Sequence, residues 1–154
     1  MIIRKCQDGD IGEILNLFRQ FVKFHSERDS CFIKISNHGE FFAEWIKTNM
    51  LKDTSTVFVA DDEGKIIGYC IAQVLEKPPV YKKPVYGYID NICVDELYQR
   101  KGVGEGLFNA ANEWFKSRGI ERIELFAALT NERSTAFWRK MGLRPFMEQL
   151  YINL

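Results

Sequence analysis

The segment from Tyr86 to Gly104 holds the residues whose types and spacing best suit chemistry. A β-rich run ends at Val94, and Gly102 and Gly104 punctuate the loop that leads into an amphipathic helix. Glycines let backbone N–H groups approach an anion closely, and the first turn of a helix adds unpaired donors at its positive end. The loop therefore predicts an oligophosphate site, with plain turn chemistry as the alternative.

Two familiar phosphate motifs do not fit this loop. The Gly64-Lys65 pair lacks both the earlier glycine and the following hydroxyl residue of a P-loop. The glycines between Gly102 and Gly106 are spaced too closely for a dinucleotide fingerprint. The remaining pattern is Gln99 placed three residues before Gly102.

The rest of the chain alternates between strand-like and helix-like patterns. Strands are predicted at Ile2–Lys5, Thr56–Ala60, Lys65–Leu75, Tyr86–Val94, Arg122–Ala128 and Gln149–Ile152. Helices are predicted after Asp10, over Phe41–Met50, from Val103 to Gly119 and from Asn131 to Gly142. Asp10 and Glu13 form an acidic version of a capping box. This order predicts a mixed α/β fold whose mostly antiparallel sheet has one parallel pair, formed by the strands before and after the third helix.

Length and charge indicate one domain spanning residues 1–154. A chain of this size buries about two thirds of its unfolded surface. Lys plus Arg balance Asp plus Glu at 21 each, so neither a nucleic-acid nor a membrane-surface partner is indicated. The amino terminus lacks the apolar core of a signal peptide, and no run approaches the roughly 18 apolar residues of a membrane span. We therefore expect a cytoplasmic protein.

The cysteines and histidines do not form a metal-binding pattern. Cys6, Cys31, Cys70 and Cys93 include no Cys-x-x-Cys pair and stand among apolar residues, which predicts reduced, mostly buried thiols. Because neither cysteine nor histidine is clustered, we expect no zinc or other metal.

Two linked segments resemble the GNAT (GCN5-related) N-acetyltransferase superfamily. Its acetyl-CoA loop is written Gln/Arg-x-x-Gly-x-Gly/Ala after a strand ending in valine, and Val94 to Gly104 is similar to it. The segment from Leu125 to Leu143 resembles the family's strand, asparagine-initiated helix and closing glycine. The first strand and helix start also fit, so the resemblance covers nearly the whole chain.

The resemblance implies central strands that splay apart to admit the pantetheine arm of acetyl-CoA. Exposed N–H and C=O groups at such a split take up amides as an added strand would. Backbone groups of Ile92, Cys93 and Val94 would then hold pantetheine and the thioester carbonyl, whose developing oxyanion a fixed amide stabilises. The pyrophosphate would lie on the loop residues Gln99, Arg100, Lys101, Gly102, Val103 and Gly104.

Further cofactor contacts are implied in the fourth predicted helix. Asn131 resembles the family residue that faces the cofactor, and it equally suits a helix N-cap. Many members have tyrosine as the second residue of the pair that is Phe137 and Trp138 in this chain. Trp138 is expected to pack against either the cofactor or the core. Lys140 either meets a CoA phosphate or is simply solvated.

Asp90 and Tyr88 are the predicted catalytic residues. A primary ammonium with a pKa of about 10 must lose a proton before it attacks. Strand alternation predicts one face shared by Tyr88, Asp90, Ile92 and Val94. Asp90 is then either the general base, two residues before the thioester contact, or an ordinary ion-paired strand carboxylate. The candidates to protonate the departing thiolate, which an indole cannot do, are Tyr88, Tyr98 and Tyr151.

The sequence thus predicts an N-acetyltransferase that moves an acetyl group from acetyl-CoA to a primary amine by direct attack. Simple packing of Cys93 is favoured over an acyl-cysteine intermediate because no histidine lies near it in sequence. One alternative function is a non-catalytic acyl-CoA-binding sensor, and a weaker one is a nucleotide-binding protein. Many members of the superfamily dimerise, which predicts a homodimer.

The acceptor is a small-molecule amine or a protein amino group. The resemblance places it in a cleft between the first two helices and the loop from Glu76 to Pro84, with side chains from Phe24, His25, Glu27, Phe32, Tyr81 and Tyr86. Acidic side chains there suit a cationic polyamine or aminoglycoside, and they equally suit an ordinary wet helix surface.

Overall fold

The computed structural model describes residues 1–32 and 36–152. The described strands are β1 (Ile2–Lys5), β2 (Ser55–Asp62), β3 (Lys65–Glu76), β4 (Val85–Val94) and β5 (Ile123–Glu124). The described α-helices are α1 (Ile11–Ser26), α2 (His38–Leu51), α3 (Val103–Ser117) and α4 (Glu132–Lys140). No described helix combines the length and the apolar composition needed to cross a bilayer.

The sheet has the order β1-β2-β3-β4-β5, and its only parallel pair among the described strands is β4 with β5. This confirms the predicted mixed α/β fold and its parallel pair on either side of α3. The β2–β3 hairpin closes through Glu63 and Gly64, at φ 55° and 92°. Both values are positive, as in the tight turns that match strand twist.

Two apolar layers cover the sheet. On one face, α1 and α2 pack through Ile14 and Ile46 onto Tyr69 and Ile71. On the other face, α3 packs with α4 onto the alternate residues of the same strands, including Cys70. Because β3 is covered on both sides, its middle residues are almost all buried and read as a continuous apolar run.

A β-bulge interrupts the alternation of β4 at the predicted catalytic residue. Asn91 pairs with Ile71 and Ile89 pairs with Ala72, which leaves Asp90 as the extra residue. Ile89 and Ile92 consequently both pack in the α3 layer. The single face predicted for Tyr88, Asp90, Ile92 and Val94 is therefore wrong, since simple alternation assumes an unbroken pleat.

The carboxyl-terminal strand predictions are also wrong in part. The predicted strand Arg122–Ala128 is assigned only over Ile123–Glu124, because β5 loses its β4 partner after that point. The segment 149–152 is not a strand, although its composition favours one. Leu150 and Ile152 are each 81% exposed, and an apolar β-rich run needs a neighbouring strand to become one.

The predicted capping box at the start of α1 is replaced by a different network. The Asp10 carboxylate accepts from Gln7 N at 2.8 Å and from both terminal nitrogens of Arg4 at 2.7 and 2.8 Å. Glu13 Oε2 accepts from Ile66 N at 2.8 Å. Both carboxylates therefore tie the start of α1 to neighbouring elements rather than to the amides of its own first turn.

Candidate active site

A gap opens in the sheet between β4 and β5. The two strands pair at Gly87 with Ile123 and at Tyr88 with Glu124, and no later pair is formed between them in the described chain. β4 itself continues to Val94. Its second half therefore has a neighbour on the β3 side and an open edge on the other.

The bulge decides which backbone groups of β4 face this gap. Asp95 N donates to Ile67 O at 2.9 Å, and alternation back along the strand turns the N–H and C=O of Cys93 toward β3 as well. The N–H and C=O of Ile92 and Val94 accordingly point into the gap. The geometry favours Ile92 and Val94 over Cys93 as backbone contacts for a ligand lying there.

The glycine loop beyond β4 forms a cradle of backbone amides, which we define as residues 99–104. Gly102 is the N-cap of α3 and has φ 84°, in the left-handed region that favours glycine. The first turn of α3 is closed by Gly106 N donating to Gly102 O at 2.9 Å. The amides of Gly102, Val103 and Gly104 precede that bond, so they have no partner within the helix and suit an anion.

Side chains of the cradle hold the loop rather than fill it. Gln99 Nε2 donates to Val94 O at 3.2 Å, which ties the loop to the end of β4. Arg100 has φ 62°, a left-handed conformation uncommon for a residue with a side chain. The Lys101 ammonium lies 5.1 Å from the ring centroid of Tyr98. Arg100 and Lys101 are both exposed, where a phosphate could reach them.

An open cavity of about 750 Å³ lies beside the cradle. Its walls come from the end of α1, from Glu96 and Gln99, and from the start of α4: they are Gln20, Lys23, Phe24, Glu27, Arg28, Glu96, Gln99, Thr130, Asn131, Glu132 and Arg133. The cavity thus joins the loop and the α4 motif, the two segments that the sequence linked to a cofactor.

Gln20 is a cavity residue that sequence reasoning missed. Its Nε2 donates to Asp95 Oδ2 at 3.4 Å, while its Oε1 is buried and accepts no hydrogen bond from the described residues. A buried amide oxygen without a donor is unusual and suits a ligand N–H. The polar spacing of Gln20, Lys23 and Glu27 on one side of α1 was the available signal.

Helix α4 meets α3 next to the cradle. Asn131 Oδ1 accepts from Ser134 N at 3.1 Å, so Asn131 is the N-cap of α4 as well as a cavity residue. Phe137 lies so close to Gly104 that a Cβ there would be 3.4 Å from its ring. Lys140 Nζ pairs with Glu105 Oε2 at 2.7 Å on the exposed surface.

Trp138 belongs to the core. It is 7% exposed and packs edge-on against Phe108, with ring centroids 5.9 Å apart. Of the two positions that the sequence left open for this indole, the structure places it in the α3 layer. Its buried ring fills the volume between α3 and α4.

Asp90 lies on the α1–α2 face of the sheet, within reach of Trp45 of α2. Its side chain is exposed to solvent on one side and partly surrounded by protein on the other. This burial raises the pKa of Asp90 above its usual range, and a hydrogen bond from Trp45 offsets part of the rise. Trp45 was not foreseen from the sequence, where its spacing in α2 marked it only as a core residue.

Tyr88 is half-buried beside Asp90. Burial raises the pKa of its phenol, and the nearby charge of Asp90 raises it further. Its ring meets Phe126 at a centroid distance of 6.2 Å. Of the other tyrosines considered as proton donors, Tyr98 is half-buried on the α3 side and Tyr151 is 79% exposed near the end of the chain.

Cys93 packs against the first helix. Its Sγ lies 3.5 Å from Leu17 O, and burial raises the pKa of its thiol to about 12. A thiol with that pKa is protonated at neutral pH and is a poor nucleophile. Cys6 and Cys70 are buried as expected, whereas Cys31 is exposed.

The side chains expected around an acceptor do not come together in one place. Phe24 and Glu27 line the 750 Å³ cavity, while the His25 ring lies between Phe21 and Phe32, at centroid distances of 4.4 and 5.1 Å. Tyr86 lies on β4 under Lys77, at 4.8 Å. Tyr81 is 55% exposed in the β3–β4 loop.

Comparison with known proteins identifies the family. The model of the GNAT acetyltransferase family matches residues 21–143. The chain therefore belongs to the GNAT family, and the match includes β4, the amide cradle, α3 and α4.

The curated relatives are distant and longer. An uncharacterized N-acetyltransferase of Methanocaldococcus jannaschii is 26% identical over 91% of this chain and 59% of its own length. An N-alpha-acetyltransferase of Sulfurisphaera tokodaii is 26% identical over 68% of this chain and 63% of its own length. The chain thus spans about 60% of the length of these relatives.

Solved structures share the fold over the full length. A point mutant of the BH1408 protein from Bacillus halodurans superposes with a TM-score of 0.91 at 28% identity, covering 100% of this chain and 99% of that one. An aminoglycoside acetyltransferase from an uncultured soil sample, in complex with sisomicin, has a TM-score of 0.72 at 24% identity, covering 99% of this chain and 95% of that one. The second likeness establishes the fold alone.

Proposed function

We propose that this protein is an acetyl-CoA-dependent N-acetyltransferase that transfers acetyl to a primary amine by direct attack. The observation that carries the proposal is the open edge of β4, which leads from Asp90 directly to the amide cradle. An extended ligand with amides along its length and a diphosphate at one end fits such a surface.

The residues around the gap and the cavity suit each part of that ligand. The amides of Gly102, Val103 and Gly104 would receive the pyrophosphate, with Arg100 and Lys101 nearby in the solvent. Gln20 Oε1, buried without a donor among the described residues, would accept a pantetheine N–H. The backbone N–H groups of Ile92 and Val94, which face the gap, would hold the thioester carbonyl and stabilise the oxyanion that develops on it.

Asp90 is proposed as the general base. The acceptor arrives as an ammonium, and its nitrogen lone pair becomes available only after a proton leaves. A carboxylate whose pKa burial raises is a stronger base than one in open water. Asp90 would take this proton through a water molecule and later release it to solvent.

Tyr88 is proposed as the proton donor. As the new C–N bond forms and the C–S bond breaks, the departing thiolate needs a proton. A tyrosine phenol is protonated at neutral pH, and burial raises the pKa of Tyr88 further. Because Trp138 is buried in the core, Tyr88 would do what the family's helix tyrosine does elsewhere.

A non-catalytic acyl-CoA sensor is the second candidate, favoured by the burial of Trp138 at the family's tyrosine position. Two measurements separate it from the enzyme. Acetyl-CoA should raise the melting temperature while ATP and NAD do not, since a ligand bound to the folded state stabilises it by mass action. With a panel of primary amines, an enzyme should release the free thiol of CoA from acetyl-CoA, whereas a non-catalytic sensor should not.

A matched pair of variants tests the assigned base. Asp90→Asn should keep the rise in melting temperature caused by acetyl-CoA and should reduce the rate of thiol release by a factor of about 10² to 10⁴. Asp95→Asn should instead perturb the loop and therefore reduce the rise in melting temperature. If acetyl-CoA does not stabilise the wild-type protein, the cofactor proposal fails. If Asp90→Asn turns over at the wild-type rate, another group is the base.

We further propose that residues 1–154 form one catalytic domain that works in the cytoplasm as a homodimer. Light scattering coupled to size-exclusion chromatography tests the assembly. A monomer at micromolar concentration with full activity would contradict the dimer without affecting the enzyme.

A further inference from the structure

We propose that the acceptor is a primary monoamine carried on an apolar or aromatic body, and that the site selects against polycations. This inference rests on the proposed acetyl transfer. We define the acceptor cleft by the side chains next to Asp90 on the same face of the sheet: Trp45, Tyr86, Tyr88, Asp90 and Phe126.

Asp90 is the one carboxylate of this cleft that is available to a cation. The pKa of Asp90 is set by burial and by Trp45, and no cation of the described chain contributes to it. Glu124, which pairs with Tyr88 on the neighbouring strand, is already engaged, because its Oε1 accepts from Lys77 Nζ and from Arg122 Nε at 2.5 Å each. One ammonium therefore finds one free carboxylate.

The two cations beside Glu124 give the far end of the cleft the wrong sign for a polyamine. Burial alone would raise the pKa of Glu124, but the hydrogen bonds from Lys77 and Arg122 outweigh it and lower the pKa. Glu124 is thus ionised, and its single negative charge is exceeded by the two positive charges of Lys77 and Arg122. A second ammonium on the acceptor would meet Lys77 or Arg122 and be repelled.

Aromatic rings form the walls between these ends. Tyr88 and Phe126 meet at 70°, and Phe126 is 75% exposed on the cleft side of the sheet edge. Trp45 is 38% exposed where it reaches Asp90. Large exposed rings around a single polar group are typical of a site that binds an apolar body and orients it through that group.

The length of the cleft sets the size of the body. Tyr88 and Tyr86 precede Asp90 by two and four residues on β4, which is roughly 7 and 13 Å at the rise of a strand. An amine at Asp90 would therefore lay its body over Tyr88 first, which a hexyl chain spans, and would reach Tyr86, beneath Lys77, only with a chain of about ten carbons.

The test compares amines matched in length but not in charge. Decylamine and 1,10-diaminodecane present the same chain with one and with two ammonium groups, and phenethylamine and spermidine extend the comparison. Thiol release from acetyl-CoA should give decylamine and phenethylamine kcat/KM values at least about tenfold above the diamine and spermidine. The difference should lie mainly in KM.

A variant pair then asks whether the cations cause the preference. Lys77→Gln should narrow the decylamine-to-diaminodecane ratio of kcat/KM by about fivefold, since it removes one like charge. Lys82→Gln, in the same loop and of the same charge change, should leave that ratio within about twofold, because Lys82 is exposed to screening solvent.

The outcomes separate this inference from the function on which it rests. If spermidine or diaminodecane is acetylated with a higher kcat/KM than decylamine, the selection against polycations is wrong while the acetyltransferase stands. If acetyl-CoA stabilises the protein but no amine in the panel releases thiol, the proposed function fails and this inference fails with it.

Discussion

Substituting Gly102 tests whether the amide cradle depends on a left-handed residue. At φ 84° an added Cβ meets no atom within 4 Å, so the cost of Gly102→Ala is backbone strain alone, about 1–2 kcal/mol. In a chain of about 150 residues this lowers the melting temperature by roughly 2 to 8 °C. If the loop relaxes to relieve the strain, its amides turn away from the phosphate and stabilisation by acetyl-CoA falls as well.

Two companion variants make the assay decisive, with melting temperature measured with and without acetyl-CoA. Gly102→Asn should lower the melting temperature less than Gly102→Ala does, because asparagine tolerates the left-handed region. Gly104→Ala should stay within about 0.5 kcal/mol of wild type, since its Cβ would make ordinary contacts at 3.4 and 3.5 Å with Phe137. The reasoning is refuted if Gly102→Ala is as stable as wild type, or if Gly104→Ala is the more damaging change.

Three further predictions concern stability and the buried thiol. The hydrogen bonds from Arg4 lower the pKa of Asp10 below its usual range; this contribution is present above a pH of about 4 and is lost as the pH falls through the lowered pKa. Urea midpoints of wild type and Asp10→Asn should therefore converge at acid pH, and a gap that stays constant would contradict the pairing. Gly87→Ala should destabilise by about 1–3 kcal/mol, because its Cβ would lie 2.8 Å from the Phe115 ring; Phe115→Leu in the same chain should recover part of that loss in thermal unfolding. Cys93→Ala should keep at least about half of the acetyl-transfer rate, as a thiol with a pKa of about 12 is not a nucleophile; a complete loss of turnover by a folded variant would instead indicate an acyl-cysteine.

The amide cradle was predictable because its signals are local. Glycine at 102 and at 104 and the amphipathic pattern that follows lie within a few residues of one another, and local backbone chemistry is what sequence patterns report best. The parallel pairing of β4 with β5 followed from the helix between them. The N-cap alternative for Asn131 was also predictable, since asparagine commonly caps helices, and the structure places this cap residue at the cavity.

The contacts across the fold could not be read in this way. Gln20 is 75 residues from Asp95 in sequence, yet its amide bonds to that carboxylate. Trp45 reaches Asp90 from α2, and its helical spacing gave it the same signature as its buried neighbours. Such pairs depend on how the helices pack on the sheet. Hydrophobic periodicity predicts which face of a helix is buried, but it does not predict which residue that face will contact.

The prediction of a strand at residues 149–152 was wrong for a related reason. A β-rich composition expresses a fit to a pleated, half-buried surface, and it becomes a strand only when a neighbour supplies hydrogen bonds and cover. In the described chain β5 ends at Glu124, and Leu150 and Ile152 remain exposed. Composition alone contains no information about whether that neighbour exists.

The bulge at Asp90 links the proposed base to the rest of the site more tightly than an unbroken strand would. Gly87 N donates to Arg122 O at 2.8 Å, so uninterrupted alternation from Gly87 would turn the backbone of Cys93 toward the gap and that of Ile92 toward β3. The extra residue in the bulge reverses this alternation, so that the backbone groups of Ile92 and Val94 face the gap. The same residue carries the carboxylate into the acceptor cleft, on the opposite face from the side chains of Ile92 and Val94. The placement of the base and the exposure of the amides are therefore consequences of a single insertion in β4, so we expect neither to change without the other.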